Sequence, residues 1–280
     1  MEPINTNNIL IVKNLGVSYI TRKNIFSLKG NKFSAVENVS FNISKGETLG
    51  LVGESGCGKS TIAKAILKLF NKNLNEAEIL GEILLNTGDK FVNLQKLKNS
   101  EMRKYRNLIQ IIFQDPYSTL NPRFTIGKII EEPLLYNTFY DKKKRIEKVK
   151  YIMDSIGISP DKINSYPYEF SGGQRQRISI GRALATEPKI IIADEPVSSL
   201  DVSIQAQILN LLSDLQKEFN LSMLFISHDL SVVKQICNNI AVMYNGQIVE
   251  YGPSNEVYFH PINEYTKLLI SSIPGIEENK

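Results

Sequence analysis

The chain has 280 residues, with 33 Lys plus Arg against 29 Asp plus Glu and a formal net charge of +4. This length suits one large α/β domain or one domain with an insertion, and its interspersed charges disfavour a dedicated nucleic-acid binder. Cys57 and Cys237 lie far apart without His neighbours, which indicates neither a disulfide framework nor a metal site. Residues 1–8 are polar and no apolar run reaches about 18 residues, so we expect a chain that is neither secreted nor membrane-spanning on its own.

The first predicted elements lead to a glycine-rich loop. Residues 9–12 and 34–43 have the pattern of strands, and a third strand, 47–52, runs into GESGCGKST at residues 53–61. Residues 62–70 then carry apolar side chains at helical spacing. A strand, such a loop and a helix in this order predict a phosphate loop, because glycines let successive N–H groups converge on phosphate oxygens at a helix N-terminus.

Particular side chains complete the predicted ATP site. The Lys59 ammonium would reach the β and γ phosphates, and the Ser60 hydroxyl would bind Mg²⁺. Tyr19, at the end of the first strand, would stack on adenine; the alternative is a half-buried strand tyrosine. The predicted ATP-binding residues are Tyr19, Gly53, Glu54, Ser55, Gly56, Cys57, Gly58, Lys59, Ser60 and Thr61.

Two further strands, 78–85 and 108–113, flank a Lys-rich helical piece. The second strand ends at Gln114, two residues before Pro116, and an amide there can meet a metal ion and a water. From residue 125 to about 158 the apolar spacing becomes helical, so residues 117–188 are predicted to form a helical subdomain inserted into the sheet domain.

A second predicted anion site begins at residue 170 (FSGGQRQR). Ser171 is of the N-cap type, and Gly172, Gly173 and Gln174 place N–H groups at a positive helix end that would hold a γ phosphate; the alternative is only a capped helix. The aliphatic strand 189–193 follows. It ends in Asp194, a candidate Mg²⁺ group, and Glu195, a candidate base for the attacking water.

The last third contributes two more site residues. Asp201 is placed to cap the helix 202–219, and His228 follows the buried strand 222–226, where it would bond the γ phosphate and the attacking water; a structural histidine is the alternative. A hairpin with Asn245-Gly246 at its turn and two short helices around Glu256 and Thr266 complete the chain.

In their order along the chain these motifs resemble the nucleotide-binding subunit of an ATP-binding cassette (ABC) transporter. The resemblance implies an α/β P-loop NTPase fold with a RecA-like core (1–116 and 189–280), an antiparallel β subdomain and the helical insertion 117–188. It implies that Ser60, Gln114 and Asp194 serve Mg²⁺, that Glu195 polarises the water and that His228 steadies it. It further implies that Ser171, Gly172, Gly173 and Gln174 act in trans on ATP held by a partner, with Asp201 at the interface.

A closer resemblance is to the ATPases of oligopeptide, dipeptide and nickel importers, carried by GESGCGKST, FQDPYSTLNPR, FSGGQRQRISIGRAL, FISHDLSVV and YTKLL; Asn263-Glu264 stands where the peptide group commonly has His-Pro. It implies a subunit at the cytoplasmic face of the membrane that powers peptide uptake, with nickel or metallophore uptake as the alternative. The implied partners are a second, different ATPase subunit in a head-to-tail dimer, two transmembrane permeases and, indirectly, an extracytoplasmic substrate-binding protein, with no nucleic acid.

Other ATPase classes fit the sequence less well. Chromosome-maintenance and repair ATPases carry long coiled coils, and no sustained heptads occur here. A cassette protein acting on ribosomes would be expected to have two phosphate loops. A phosphate-loop kinase would lack the Ser-Gly-Gly-Gln signature.

Overall fold

The computed structural model describes residues 6–20, 32–70, 77–137 and 140–273. The chain divides into two compact units, of which the first comprises Met1–Leu97 and Leu224–Lys280 and the second Lys98–Met223. Within the described ranges, no helix combines the length and the apolar character that crossing a bilayer requires.

The first unit contains an antiparallel sheet. Strand β1 (Asn8–Ile20) pairs with β2 (Lys32–Ser44) on one side and with β4 (Ala77–Asn86) on the other, and β4 pairs with β5 (Phe91–Asn93). Alternating apolar side chains of β2 are buried, as expected for a strand with one covered face. The predicted strands are confirmed and longer than expected. Strand β5 was missed, because three residues carry too little pattern to be recognised.

The same unit contains a buried strand beside a hairpin. Strand β3 (Thr48–Val52), all of whose residues are buried, runs parallel to β9 (Asn239–Tyr244). Strand β9 turns through Asn245 and Gly246, both at positive φ, into the antiparallel β10 (Gln247–Pro253). Two residues in the left-handed region match the twist of the strands, so the predicted Asn-Gly hairpin is confirmed.

Helix α1 (Lys59–Leu67) follows β3 in this unit. The other helices of the unit are α8 (Leu230–Ile236), α9 (Ser254–Phe259) and α10 (Glu264–Ser271). Helices α1, α9 and α10 confirm the predicted helices after the phosphate loop and around Glu256 and Thr266, whereas α8 was not predicted.

Lys68 ends α1 in a left-handed conformation and is buried. Its ammonium donates to the carbonyls of Leu94 and Gln95, at 3.1 Å each, and to that of Leu97. An ammonium that is removed from water needs such a set of acceptors. The C-terminal end of α1 is therefore fixed to the short 3₁₀ turn at Leu94–Lys96.

The second unit combines two parallel strands with most of the helices. Strand β6 (Ile109–Ile112) runs parallel to β7 (Ile190–Asp194), and β8 (Ser222–Ser227) begins in this unit and ends in the first. Its helices are α2 (Asn99–Met102), α3 (Pro116–Thr119), α4 (Ile126–Asn137), α5 (Lys142–Ser155), α6 (Gly172–Leu184) and α7 (Val202–Phe219).

The helices α4, α5 and α6 pack on one another through apolar side chains at the predicted spacing. Buried side chains at this contact are Ile130, Leu134, Ile152, Met153, Ile156 and Ile180. Among the described residues from 117 to 188 every regular element is a helix or 3₁₀ turn, as the predicted helical insertion requires. The α/β fold with an antiparallel sheet is confirmed, and the predicted subdomain boundaries stay a prediction.

Candidate functional site

The glycine-rich loop lies between buried strand β3 and helix α1 in the first unit. Gly58 is the N-cap of α1 at φ 110°, and a Cβ there would lie 2.4 Å from the carbonyl oxygen of Ala35. Only glycine tolerates both this backbone angle and this approach. The local sequence thus builds a tight loop that leads directly into the positive end of a helix.

Lys59 folds back over this loop. Its side chain is buried, and its ammonium donates to the carbonyl of Gly53 at 2.6 Å and to that of Glu54 at 2.8 Å. The Cys57 sulfur lies 3.7 Å from the same nitrogen. Burial raises the pKa of the Cys57 thiol, an effect that the nearby Lys59 charge partly offsets, so the thiol is protonated at neutral pH. The loop therefore holds the buried Lys59 ammonium beside a neutral thiol, while its one carboxylate, that of Glu54, belongs to an exposed side chain.

Tyr19 is placed beside the last residue of the loop. Its hydroxyl shares a hydrogen bond of 3.2 Å with the Thr61 hydroxyl, and its half-buried ring meets the edge of Phe70 with centroids 5.9 Å apart. The structure thus brings Tyr19 to the loop, as an adenine-stacking role requires. The stacking itself stays a prediction.

His228 lies in the first unit as well, directly after β8, and its side chain is exposed. The turn around it is fixed on both sides. The Ser227 hydroxyl oxygen accepts the Asp229 N–H at 3.0 Å, and the Asp229 carboxylate caps α8 by accepting the Ser231 N–H at 2.8 Å. The imidazole of His228 therefore lies at the end of β8, at a position that the backbone of this turn sets.

In the second unit Gln114 and Glu195 meet at the carboxyl ends of two neighbouring strands. Strands β6 and β7 are parallel, so the segments that follow them emerge at the same edge. The Gln114 amide nitrogen donates to a Glu195 carboxylate oxygen at 3.2 Å and to the Ser198 hydroxyl oxygen at 3.3 Å. Two predicted site residues are thus in contact, and Ser198, which no sequence motif singled out, binds the same amide.

Glu195 has an unusual backbone. It adopts φ 48°, a left-handed conformation that costs a non-glycine residue about 1 kcal/mol or more. The Ser198 hydroxyl donates to the Glu195 carbonyl at 3.1 Å and holds the turn. The carboxylate of Glu195 is half-buried and exposed enough to meet a water, and Asp194, half-buried as well, precedes it at the end of β7.

The predicted signature heads helix α6 in the same unit. The Ser171 hydroxyl accepts the Gln174 N–H at 3.4 Å, while the Gln174 side-chain oxygen accepts the Ser171 N–H at 3.0 Å. This reciprocal capping box confirms Ser171 as the N-cap. Gly173 allows close packing of α6 on α7, because a Cβ there would lie 2.6 Å from a methyl carbon of Ile204.

An open cavity of about 400 Å³ lies in front of this helix end. The residues that line it are Asp115, Pro116, Tyr117, Ser171, Gly172, Gly173, Ser199, Leu200, Asp201 and Ile204. The structure thus brings the signature and Asp201 to one surface of the second unit. Asp201 is the N-cap residue of α7, as predicted, but its side chain makes no cap hydrogen bond; its backbone carbonyl accepts the N–H groups of Ile204 and Gln205.

Comparison with known proteins gives consistent results. A family profile described as "ABC transporter" matches residues 36–198. The chain is 45% identical to the oligopeptide transport ATP-binding protein AppF of Bacillus subtilis, with 98% of this chain and 80% of AppF covered. It is 48% identical to the oligopeptide transport ATP-binding protein OppF of Streptococcus mutans, with 96% and 83% covered. Among solved structures, the dimeric post-hydrolysis state of the ATP-binding cassette MJ0796 bound to ADP and Pi matches with a TM-score of 0.72 and 27% identity, covering 88% of this chain and 98% of that one.

Proposed function

The chain belongs to the ABC transporter family and hydrolyses ATP, and from that premise we propose that it powers the uptake of oligopeptides or dipeptides through separate membrane-spanning subunits. The relatives AppF and OppF, named for oligopeptide transport, match nearly its whole length and support this substrate class. The observation that carries the ATP-driven part of the proposal is the phosphate loop with the Lys59 ammonium folded into it.

Binding of ATP begins at this loop. The Lys59 ammonium is held by two neutral carbonyls, which a phosphate oxygen with its full negative charge would replace as a stronger partner. The N–H groups at the start of α1 add further donors. Tyr19 supplies an aromatic surface next to Thr61 for the adenine ring.

Mg²⁺ accompanies ATP in this family, and the oxygens of Ser60, Gln114 and Asp194 are proposed to hold it. A hydroxyl, an amide carbonyl and a carboxylate are hard oxygen donors of the kind that Mg²⁺ prefers. The Gln114 amide fits this role in its observed orientation, because its nitrogen faces Glu195 and Ser198 and leaves its oxygen for other contacts. When bound, the ion neutralises charge on the phosphates.

Glu195 is proposed as the base that orients and deprotonates the attacking water. The Gln114 amide fixes the Glu195 carboxylate through a hydrogen bond of 3.2 Å, and a carboxylate positioned in this way can accept a proton from water. The strained backbone of Glu195 aims this side chain from the end of β7. His228, held by the capped turn at Asp229, is proposed to steady the water and the γ phosphate.

The signature is proposed to work across a head-to-tail dimer of ATPase subunits. Ser171, Gly172, Gly173 and Gln174 head a helix whose end opens onto the cavity described above, where they would meet ATP carried by a partner's phosphate loop. Asp201 lines the same cavity and would lie in the interface. The dimeric state reported for MJ0796 supports this arrangement. The partner is proposed to be a different ATPase subunit.

A second cleft offers a surface for a membrane-spanning subunit. It has a volume of about 350 Å³ and lies in the second unit between α4, α6 and the end of β6, with Phe113, Pro133, Tyr136 and Arg182 in its lining. The Tyr136 ring is 65% exposed and adds apolar surface to the cleft. We assign this cleft to an apolar cytoplasmic segment of the permease, at the cytoplasmic face of the membrane, with a substrate-binding protein delivering peptide on the other side.

Peptide uptake is tested in cells that lack this chain. Uptake of a radiolabelled tripeptide should fall to background, return with the wild-type chain and fail to return with Glu195→Gln. A matched strain is tested for nickel uptake, which should not change. Normal peptide uptake without this chain, or loss of nickel uptake alone, would contradict the proposed substrate class.

A further inference from the structure

The C-terminal helix α10 contacts the phosphate loop through one tyrosine. The phenol oxygen of Tyr265 accepts the backbone N–H of Glu54, the second residue of the loop, at 3.1 Å. The same ring lies against Tyr244 with centroids 4.3 Å apart and planes inclined by 39°. Tyr265 therefore joins a helix more than 200 residues away to the start of the loop.

The position of Tyr265 is set by a chain of hydrogen bonds that precedes it. The Glu250 carboxylate accepts the N–H groups of Ile262 at 2.8 Å and Asn263 at 3.1 Å. The Asn263 side chain then caps α10 by accepting the Tyr265 N–H at 2.9 Å. Asn263 thus has a defined structural role where the sequence departs from a His-Pro pair. Because these bonds fix the position of Tyr265, its hydroxyl can fix the position of the Glu54 N–H in turn.

The contacted residue is also a partner of Lys59. The Glu54 carbonyl accepts the Lys59 ammonium at 2.8 Å, so one residue is held by Tyr265 at its N–H and by Lys59 at its C=O. Burial, more than any other influence, raises the pKa of Tyr265, so its hydroxyl is neutral at physiological pH. The exposed side chain of Glu54 gives the loop no packing at this point. Without the tyrosine, the Gly53–Glu54 peptide would lose the bond at its N–H and keep the Lys59 bond at the Gly53 carbonyl, so it would be held on one side instead of two.

We propose that Tyr265 is a positioning residue for ATP binding: it fixes the Glu54 peptide so that the phosphate loop is shaped before nucleotide arrives. This inference rests on the proposed role of the loop as the ATP site. When the loop is already ordered, nucleotide binding loses less free energy to ordering it, so the affinity for nucleotide is higher. The C-terminal helix thereby becomes a determinant of nucleotide affinity, although it supplies no group to the reaction.

The test is Tyr265→Phe in the full-length chain, with Tyr258→Phe in helix α9 as the matched loss of a phenol hydroxyl away from the loop. The phenylalanine ring keeps the contact with Tyr244. Loss of one hydrogen bond should weaken ADP binding, measured by calorimetry, by about 3- to 10-fold. The KM for ATP should rise by a similar factor, while kcat at saturating ATP stays within about twofold.

Amide hydrogen exchange of the nucleotide-free protein tests the physical cause. The Glu54 amide should exchange several-fold faster in Tyr265→Phe and at the wild-type rate in Tyr258→Phe. Asn263→Ala, which removes the cap of α10, should give an intermediate increase. Unchanged ADP affinity and Glu54 exchange in Tyr265→Phe would overturn the inference alone, whereas a wild-type chain that binds no nucleotide would overturn the proposed function.

Discussion

Replacing Glu195 by Gln tests the chemistry of the site with little change of shape. The two side chains have the same size, and a glutamine oxygen can still accept the Gln114 amide that now lies 3.2 Å from the carboxylate. The left-handed backbone at φ 48° costs the variant as much as the wild type. Weakening one charge-assisted hydrogen bond at a half-exposed position should lower the free energy of unfolding by about 0.5–1 kcal/mol, which is about 2 °C in Tm.

The effect on catalysis should be far larger. A positioned general base contributes about 10²- to 10⁴-fold to a rate, and each tenfold loss corresponds to about 1.4 kcal/mol of activation free energy. Glu195→Gln should therefore raise the barrier to hydrolysis by about 3–5.5 kcal/mol. Binding of ATP should persist, because the phosphate loop, Lys59 and its neighbouring N–H groups are unchanged.

The assay is phosphate release at saturating Mg-ATP, together with size-exclusion chromatography of the ATP-bound protein. We expect turnover to fall at least 100-fold and a nucleotide-bound dimer to accumulate. Glu147→Gln, which removes an exposed carboxylate from α5, serves as the control and should hydrolyse ATP normally. Hydrolysis by Glu195→Gln within about fivefold of wild type would refute the assignment of the base.

Three further predictions follow from single contacts. Ser171→Ala should lower the free energy of unfolding by about 1 kcal/mol, because it removes the cap of α6. When both subunits of a dimer carry the substitution, ATP turnover should fall at least tenfold. If turnover falls only as far as the shift in Tm explains, action in trans is contradicted. Lys68→Met should lower the free energy of unfolding, measured in urea, by about 3–5 kcal/mol, because three carbonyls lose a buried cation; a change below about 1 kcal/mol would contradict this. Burial raises the pKa of both cysteine thiols, and at Cys237 it raises the pKa well above the usual value. Alkylation by iodoacetamide should therefore be slow at pH 7, accelerate with rising pH as thiolate forms, and be slower at Cys237 than at Cys57. Equal alkylation rates at the two cysteines would contradict this prediction.

Much of the fold could be predicted because each element carries its own local pattern. Strand β3 is a continuous apolar run, Gly58 marks the helix start, and the serine and glutamine of the signature form the capping box that their spacing implies. The Gln114–Glu195 contact could also be expected in outline. Both residues follow buried strands, and the ends of adjacent parallel strands share one edge of a sheet.

The missed features depend on distant parts of the chain or on exact backbone geometry. Nothing near Tyr265 indicates that its hydroxyl meets the Glu54 N–H, since the two are brought together only by the fold. The Asp201 side chain has the right chemistry for a cap but makes no such bond, because the residue type does not determine its rotamer. The Ser198 hydroxyl can donate to the Glu195 carbonyl because Glu195 has a left-handed backbone, and no residue pattern predicts that backbone conformation.

The buried ammonium of Lys68 fixes the C-terminal end of helix α1 to a neighbouring segment of the chain. This helix begins with Lys59, the proposed phosphate-binding lysine, and its C-terminal end is followed by Lys68, whose ammonium donates to the carbonyl of Leu97. Because its C-terminal end is fixed in this way, α1 cannot tilt or slide independently of the segment 94–97. A shift of the phosphate loop on nucleotide binding would therefore pass through α1 to the segment 94–97 of the same unit.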